Sequence, residues 1–279
     1  MKALVVGGRG LMGRWFCSFL ESMGHEVLTV DPQGPTKGYL RAPTIAAGLQ
    51  HLGPRDLALL ATPMERTAEA LEEVRRARTE ALVADVSSIK APLRAGLRRM
   101  ARERFKVVSL HPMWGPDAVL LSDKNLLVLD CGSRAAVREV KGLFRDTAVK
   151  VQELPLEDHD RLMGWALGLP HVTSLAFSLA LARSGVGPEQ LEQLGGPTMK
   201  QQLRVARGVA RENKALYHGI QALNPHSPEV HGALLASLKE LQAALRDPAR
   251  FNALMAACEA YYDAPPEKPR ARAPRRSKR

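Results

Sequence analysis

From residue 2 to about residue 152, apolar positions cluster in short runs separated by stretches of helical periodicity. The runs Ala3–Val6, Val27–Val30, Leu57–Ala61, Leu82–Asp85, Val107–Leu110 and Leu126–Leu129 predict strands. Between them, Leu11–Ser22, Glu65–Arg78, Ala91–Arg102 and Ala135–Asp146 predict helices. The strand runs lack polar alternation, as expected of parallel βαβ strands whose two faces are both covered by helices. After Leu154 no β-branched runs recur, and helical periodicity continues to Tyr262. Leu156–Ala182 predicts one long helix, bent at Pro170 because proline removes a backbone bond and clashes with the preceding turn. Pro188, Pro197, Pro225, Pro228 and Pro248 mark later helix starts and turns. The expected organisation is an α/β domain over 1–153, an all-helical domain over 154–263 and a tail over 264–279.

The first strand runs into Gly7-Gly8-Arg9-Gly10-Leu11-Met12-Gly13, where Gly8, Gly10 and Gly13 have G-x-G-x-x-G spacing. In a Rossmann-type fold these glycines give a tight turn, backbone approach to a pyrophosphate, and close packing of helix on strand. The helix N-terminus adds unpaired N–H groups and a favourable dipole for the anion. Asp31 ends the second strand, 23 residues after Gly8, where a carboxylate can accept from the adenosine ribose. It would also repel a 2′-phosphate, so NAD is expected over NADP; Lys37 and Arg41 are the cations that could oppose this.

Strand ends at the carboxyl edge face the ligand crevice of such a sheet. Thr62-Pro63, Asp85 through Lys90, and His111-Pro112-Met113-Trp114-Gly115-Pro116-Asp117 occupy three such ends. Thr62 and Pro63 are expected beside the nicotinamide ribose. Ser88 and His111 fall on neighbouring edges, where a hydroxyl could orient an imidazole. Histidine suits removal of a proton from a carbinol, since its ordinary pKa of about 6.5 lies near working pH.

The glycine turn, Asp85-x-x-Ser88-x-Lys90, the His111–Asp117 element and His159-Asp160-Arg161-Leu162-Met163…Leu169-Pro170-His171 together resemble the prephenate/arogenate dehydrogenase family. The resemblance runs in order to about Tyr217. It implies a 6-phosphogluconate-dehydrogenase-like helical second domain that forms a homodimer. It also implies NAD-dependent oxidative decarboxylation of prephenate to 4-hydroxyphenylpyruvate, or of arogenate to tyrosine. His111 is then the proton acceptor, Ser88 holds it in register, and His171 orients the substrate. Gly8, Arg9, Gly10, Leu11, Met12, Gly13, Asp31, Thr62 and Pro63 are the expected cofactor residues. Lys200, Lys90, Gly115 and Asp117 are the expected substrate residues. The family usually carries arginine where Lys200 stands, and lysine loses the two-pronged grip on a carboxylate. Arg204 and Arg207 are candidate supplements, and the role of His218 stays open. His159, 12 residues before His171, falls about 120° around a straight helix and is expected in an N-terminal charge cluster instead.

Composition narrows the alternatives. With 45% hydrophobic and 25% charged residues, the 279-residue chain reads as globular. The apolar stretch Val172–Ala182 is short of the roughly 20 residues a bilayer span takes. Nothing at the N-terminus resembles a signal peptide, and neither a fused chorismate mutase domain nor a separate ligand-sensing domain is expected. Cys17, Cys131 and Cys258 show neither disulfide nor zinc-ligand spacing, which fits a cytoplasmic protein without a metal. Of the net charge of +11, six units fall in 265–279, where seven Lys/Arg face Glu267 alone. The tail is therefore expected to be disordered, with an electrostatic contact as its one partner role; nucleic-acid binding by the body is not expected. The competing readings are another two-domain NAD(P) dehydrogenase, or a catalytically silent NAD-binding protein with a partner-binding tail.

Overall fold

The computed structural model describes residues 1–265. Eight strands form one sheet: β1 (Lys2–Val6), β2 (Glu26–Val30), β3 (Leu40–Arg41), β4 (Leu57–Leu60), β5 (Leu82–Asp85), β6 (Val107–Pro112), β7 (Asn125–Asp130) and β8 (Lys150–Pro155). Their order is β3-β2-β1-β4-β5-β6-β7-β8. The helices among them are α1 (Leu11–Ser22), α2 (Ile45–Leu49), α3 (Met64–Ala77), α4 (Arg94–Arg102) and α5 (Arg134–Leu143).

All six expected strands form, and two more join them. β3 is two exposed residues, and β8 is exposed or half-buried along its whole length at the sheet edge, so neither carries an apolar run. One strand pairing departs from the parallel βαβ pattern. β7 pairs antiparallel with β6, and β8 runs parallel to β7. Parallel neighbours need a crossover, usually a helix, and residues 113–124 contain none, so the chain turns back directly. Helix α5 then supplies a crossover, and β8 follows β7 in parallel.

Each sheet face carries its own apolar cluster. On one, Ile45 and Leu49 of α2, Leu71 and Val74 of α3, and Leu97 and Met100 of α4 pack against Leu4, Leu60 and Val83. On the other, Phe16 and Leu20 of α1 and Val137 and Val140 of α5 pack against Val5, Leu59 and Val108. The first cluster also takes in Leu156, Met163 and Ile220. The chain around Leu156, Met163 and Ile220 is thereby rooted in the sheet's core.

The helical half comprises α6 (His159–Met163), a π turn (Gly164–Gly168), α7 (Leu169–Ser184), α8 (Pro188–Leu194), α9 (Pro197–Arg211), α10 (Lys214–Leu223), α11 (Ser227–Ala244) and α12 (Pro248–Asp263). The expected bend at Pro170 is resolved as the π turn immediately before it. Pro170 has no N–H for the carbonyl four residues back, and its ring would clash there. Widening the preceding turn by one residue relieves both problems. The stretch His159–Ser184 spans 26 residues and holds an 18-residue window of mean hydropathy 1.4, long and apolar enough to cross a membrane. Its first turn, however, lies in a buried polar network on the sheet. That placement makes it a helix of this fold.

By compactness the chain divides into Met1–Val230 and a second unit from His231 onward. Within the second unit, α12 is capped by Asp247, whose Oδ1 accepts from Ala249 N (3.0 Å) and Arg250 N (3.3 Å). The expected disorder of the basic tail concerns residues that, from 266 on, lie outside the described ones.

The strand–turn–helix at the N-terminus leaves no room for a side chain at residue 13. A Cβ there would sit 2.0 Å from the Gly7 carbonyl oxygen. Gly13→Ala is expected to lower unfolding free energy by roughly 1–3 kcal/mol, the usual cost of overpacking. Urea denaturation checks this, and an unchanged midpoint would contradict the close approach.

Candidate active site

The carboxyl ends of β1, β2 and β4 border a cleft of about 470 Å³ lined by Gly7, Arg9, Gly10, Asp31, Thr62 and Pro63, among others. Gly7 carries the left-handed turn, with φ +87°, and a Cβ there would meet the Ala61 carbonyl oxygen at 2.6 Å. The sequence reading placed the tight turn at Gly8; Gly8 is instead buried against Thr29 and Thr36. Leu11 is exposed, Met12 packs among the aromatic residues of α1, and Gly13 meets Gly7. Of the expected cofactor residues, Arg9, Gly10, Asp31, Thr62 and Pro63 thus line the cleft, while Gly8, Leu11, Met12 and Gly13 shape it from outside.

Asp31 is 7% exposed, and its carboxylate accepts from Arg9 N (3.0 Å) and Gln33 N (2.9 Å). The Arg9 guanidinium donates to the Gln33 carbonyl, closing the loop around the carboxylate. Thr67, fully buried on α3, donates to the Pro63 carbonyl (2.9 Å) and accepts from Thr62 Oγ1 (2.9 Å) and Ser87 Oγ (3.3 Å). One hydroxyl therefore pins two strand ends, a role no spacing rule reveals. A glycine cradle that any Cβ would fill, backed by a fixed carboxylate, fits a dinucleotide.

At the ends of β5 and β6 lies a second, largely buried array. His111 is 3% exposed, and its Nδ1 lies 2.9 Å from His159 Nε2. His159 Nδ1 lies 2.7 Å from Asp160 Oδ1, which also accepts from Lys90 N at 2.8 Å. Asn224 Nδ2 donates to the Asp160 carbonyl (2.8 Å), and Arg94 Nη2 approaches Asp160 Oδ2 at 3.5 Å. His111 Nε2 has no partner among the described residues. Burial, then the charges of His159 and Lys90, hold the His111 pKa well below the ordinary imidazole value. Burial likewise lowers His159. Burial alone would raise Asp160, yet hydrogen bonds from His159 and the backbone of Lys90 and Ala91 bring it below the usual carboxylate value.

Three expectations need correcting. His159 was left out of the site as a member of an N-terminal charge cluster, but it is fully buried and bridges His111 and Asp160. Lys90 was an expected substrate cation, but it has no exposed surface. Its ammonium donates to Asp85 Oδ1 (2.7 Å) and the Leu110 carbonyl (2.7 Å) and is spent there. Ser88 was expected to hold His111, but it is half-buried and makes no hydrogen bond with it; His159 occupies the ring nitrogen concerned.

His171 stands on α7 with its ring centre 4.2 Å from that of Tyr217 on α10. Its Nδ1 is buried without a partner among the described residues, and burial lowers its pKa. The π turn holds one residue more than an α turn, which rotates α7 back by about 100°. The 120° that a straight helix would put between His159 and His171 is largely cancelled. Lys200, Gly115 and Asp117 are exposed; no contact joins them to His111. Among the described residues no cluster of three His, Cys, Asp or Glu could hold a metal ion.

Residues 42–133 match the family model described as prephenate dehydrogenase, nucleotide-binding domain, and residues 155–257 match prephenate dehydrogenase, dimerization domain. The glycine turn precedes the first match and rests on its own geometry. The 4-amino-4-deoxyprephenate dehydrogenase of Streptomyces pristinaespiralis is 29% identical over 266 residues, covering 91% of this chain and 89% of that one. A probable arogenate/prephenate dehydrogenase of Methanocaldococcus jannaschii is 23% identical over 252 residues, covering 87% of this chain and 56% of that one. The chain spans about half the length of several curated relatives it matches. A crystal structure of prephenate dehydrogenase from A. aeolicus, in complex with hydroxyphenyl propionate and NAD+, shares the fold at TM-score 0.75. That likeness has 20% identity and covers 94% of this chain and 96% of that one.

Removing the Lys90 ammonium would strand Asp85 in the core, where Asp85 Oδ2 is already unpartnered among the described residues. Lys90→Met is expected to cost about 3–5 kcal/mol of stability, as broken buried pairs do. Chemical denaturation reads this directly; a neutral change would return Lys90 to the list of substrate cations.

Proposed function

The chain belongs to the prephenate dehydrogenase family, and we propose that it oxidatively decarboxylates prephenate with NAD, or arogenate likewise, in tyrosine biosynthesis. The observation that carries this reading is His111, a buried neutral imidazole with one nitrogen tied and the other unpartnered, at the same carboxyl edge of the sheet as the nucleotide cleft. Bound NAD would accept the hydride. The side chains arrange the rest. His111 Nε2 takes the proton of the ring hydroxyl while hydride leaves the same carbon, so no bare oxocarbenium ion develops. Breaking the bond to the ring carboxylate releases CO2 and makes the ring aromatic. The phenolate oxygen recovers the proton from His111, so none is released overall.

Asp31 favours NAD by accepting from the ribose hydroxyls and repelling a 2′-phosphate. Ser88 at the same edge contacts the substrate hydroxyl, and the unpartnered His171 nitrogen hydrogen-bonds the substrate side chain. Lys200 supplies charge for a substrate carboxylate. A homodimer through the helical domain accounts for an 18-residue helical window of mean hydropathy 1.4 of which only 11% is buried. Three unpaired cysteines fit a cytoplasmic location.

A second reading, a substrate with a ring amine in place of the hydroxyl, is favoured by the near full-length likeness to 4-amino-4-deoxyprephenate dehydrogenase. The same base serves there, because an ammonium must lose a proton before its nitrogen can push electrons into the ring.

Steady-state reduction of NAD and NADP with prephenate, arogenate and 4-amino-4-deoxyprephenate separates these readings. Prephenate or arogenate with NAD is expected to turn over; activity with the amino substrate alone would replace the first reading by the second. His111→Asn should lower kcat by about 10²–10⁴ while the fold persists. The lowered His111 pKa means that its basic form persists as pH falls through 6.5. The acid limb of kcat/KM is therefore expected well below that value, and a limb at or above 6.5 would exclude His111 as the base. Asp31→Ser is expected to narrow the NAD over NADP preference about tenfold, since it removes the repulsion against the phosphate.

A further inference from the structure

We propose that His159, oriented by Asp160, is the positioning residue that presents the His111 Nε2 lone pair to the substrate and shares the proton His111 takes up. The proposal rests on the reading of His111 as the base. Its physical content is a matter of donors and acceptors along one line of atoms.

Asp160 Oδ1 receives the Lys90 N–H and lies 2.7 Å from His159 Nδ1. An ionised carboxylate only accepts, so His159 Nδ1 must carry a hydrogen. A neutral His159 then has a bare Nε2. That nitrogen is 2.9 Å from His111 Nδ1, which must therefore be the donor. A neutral His111 with a hydrogen on Nδ1 has its lone pair on Nε2, the nitrogen without a protein partner. The carboxylate thus sets the tautomer of an imidazole two hydrogen bonds away.

The charged and titratable surroundings support this polarity from each element packed on the array. From β5 and the segment leading into α4 come Asp85 and Lys90, which are paired with each other, and Arg94 beside Asp160. From α6 come His159 and Asp160 themselves, with Glu157 just before them bound to Arg98. β6 brings His111. The residue at the end of α10, Asn224, is uncharged and donates to the Asp160 backbone. Asp160 is the carboxylate in hydrogen-bond contact with His159, Asp85 acts on it at longer range, and the Arg94 guanidinium lies 3.5 Å from Asp160 Oδ2.

When His111 Nε2 gains the substrate proton, the Nδ1 hydrogen can move to His159 Nε2. The positive charge then rests beside Asp160. No bond to solvent is needed, because the reaction returns the proton to the product oxygen. A buried, dead-ended pair of imidazoles suits a borrowed proton better than an exported one.

The test is imidazole ¹⁵N NMR of the full-length histidine-labelled protein, with His111 assigned from the spectrum of His111→Gln. His111 Nε2 is expected to show the shift of an unprotonated nitrogen and Nδ1 that of a protonated one. The reverse pattern in the wild type would overturn the proposal without any further variant. In His159→Phe the two forms should mix, with kcat down at least about tenfold and KM little changed. His159→Gln, whose amide oxygen can accept from His111 Nδ1, should restore the single tautomer but only part of kcat. A folded His159→Phe protein with wild-type tautomer and kcat would also overturn it. The tautomer is read without substrate, so failure of the proposed reaction remains distinguishable from failure of this assignment.

Discussion

Lys90 has an ammonium with no exposed surface, and the site is arranged around the need to satisfy it. A charge so placed must be paired and hydrogen-bonded or it would destabilise the fold by several kcal/mol. Its ammonium takes Asp85 from β5 and the Leu110 carbonyl from β6, while its backbone N–H takes Asp160 from α6. One residue therefore ties two neighbouring strand ends to the first helix of the helical half. His111 follows Leu110 directly, and His159 precedes Asp160. The two imidazoles meet at 2.9 Å because the groups beside them are held by the same lysine.

The nucleotide cleft depends on a different economy, that of atoms left out. Gly7 and Gly13 let strand and helix approach until no Cβ fits between them. The backbone N–H groups at the helix start are then free for an anion, and Thr67 fixes the opposite wall through Thr62, Pro63 and Ser87. The polar array at β5 and β6 sits one strand over from that wall. Both lie at the carboxyl edge of the sheet, the edge at which folds of this type bind their ligands.

The helical half behaves differently. Leu179 of α7 is 54% exposed and Val205 of α9 is 50% exposed, on helices whose composition is that of a core. Apolar surface of this kind is ordinarily covered by another protein surface. The description of the matching family model as a dimerization domain agrees with that demand.

Local pattern was enough to reveal the six apolar strands, the glycine turn, Asp31 and the strand-end position of His111, because each depends on residue type within a few neighbours. Two polar-edged strands, β3 and β8, escaped it since an edge needs no apolar run. The partnership of His111 with His159, the burial of Lys90 and the displacement of Ser88 from the imidazole emerged only in three dimensions. They depend on hydrogen bonds between residues 20 to 70 positions apart, and on a π turn that resets the helical phase. A linear chain records which groups can donate and accept. Which of them find each other once water is excluded is decided by packing.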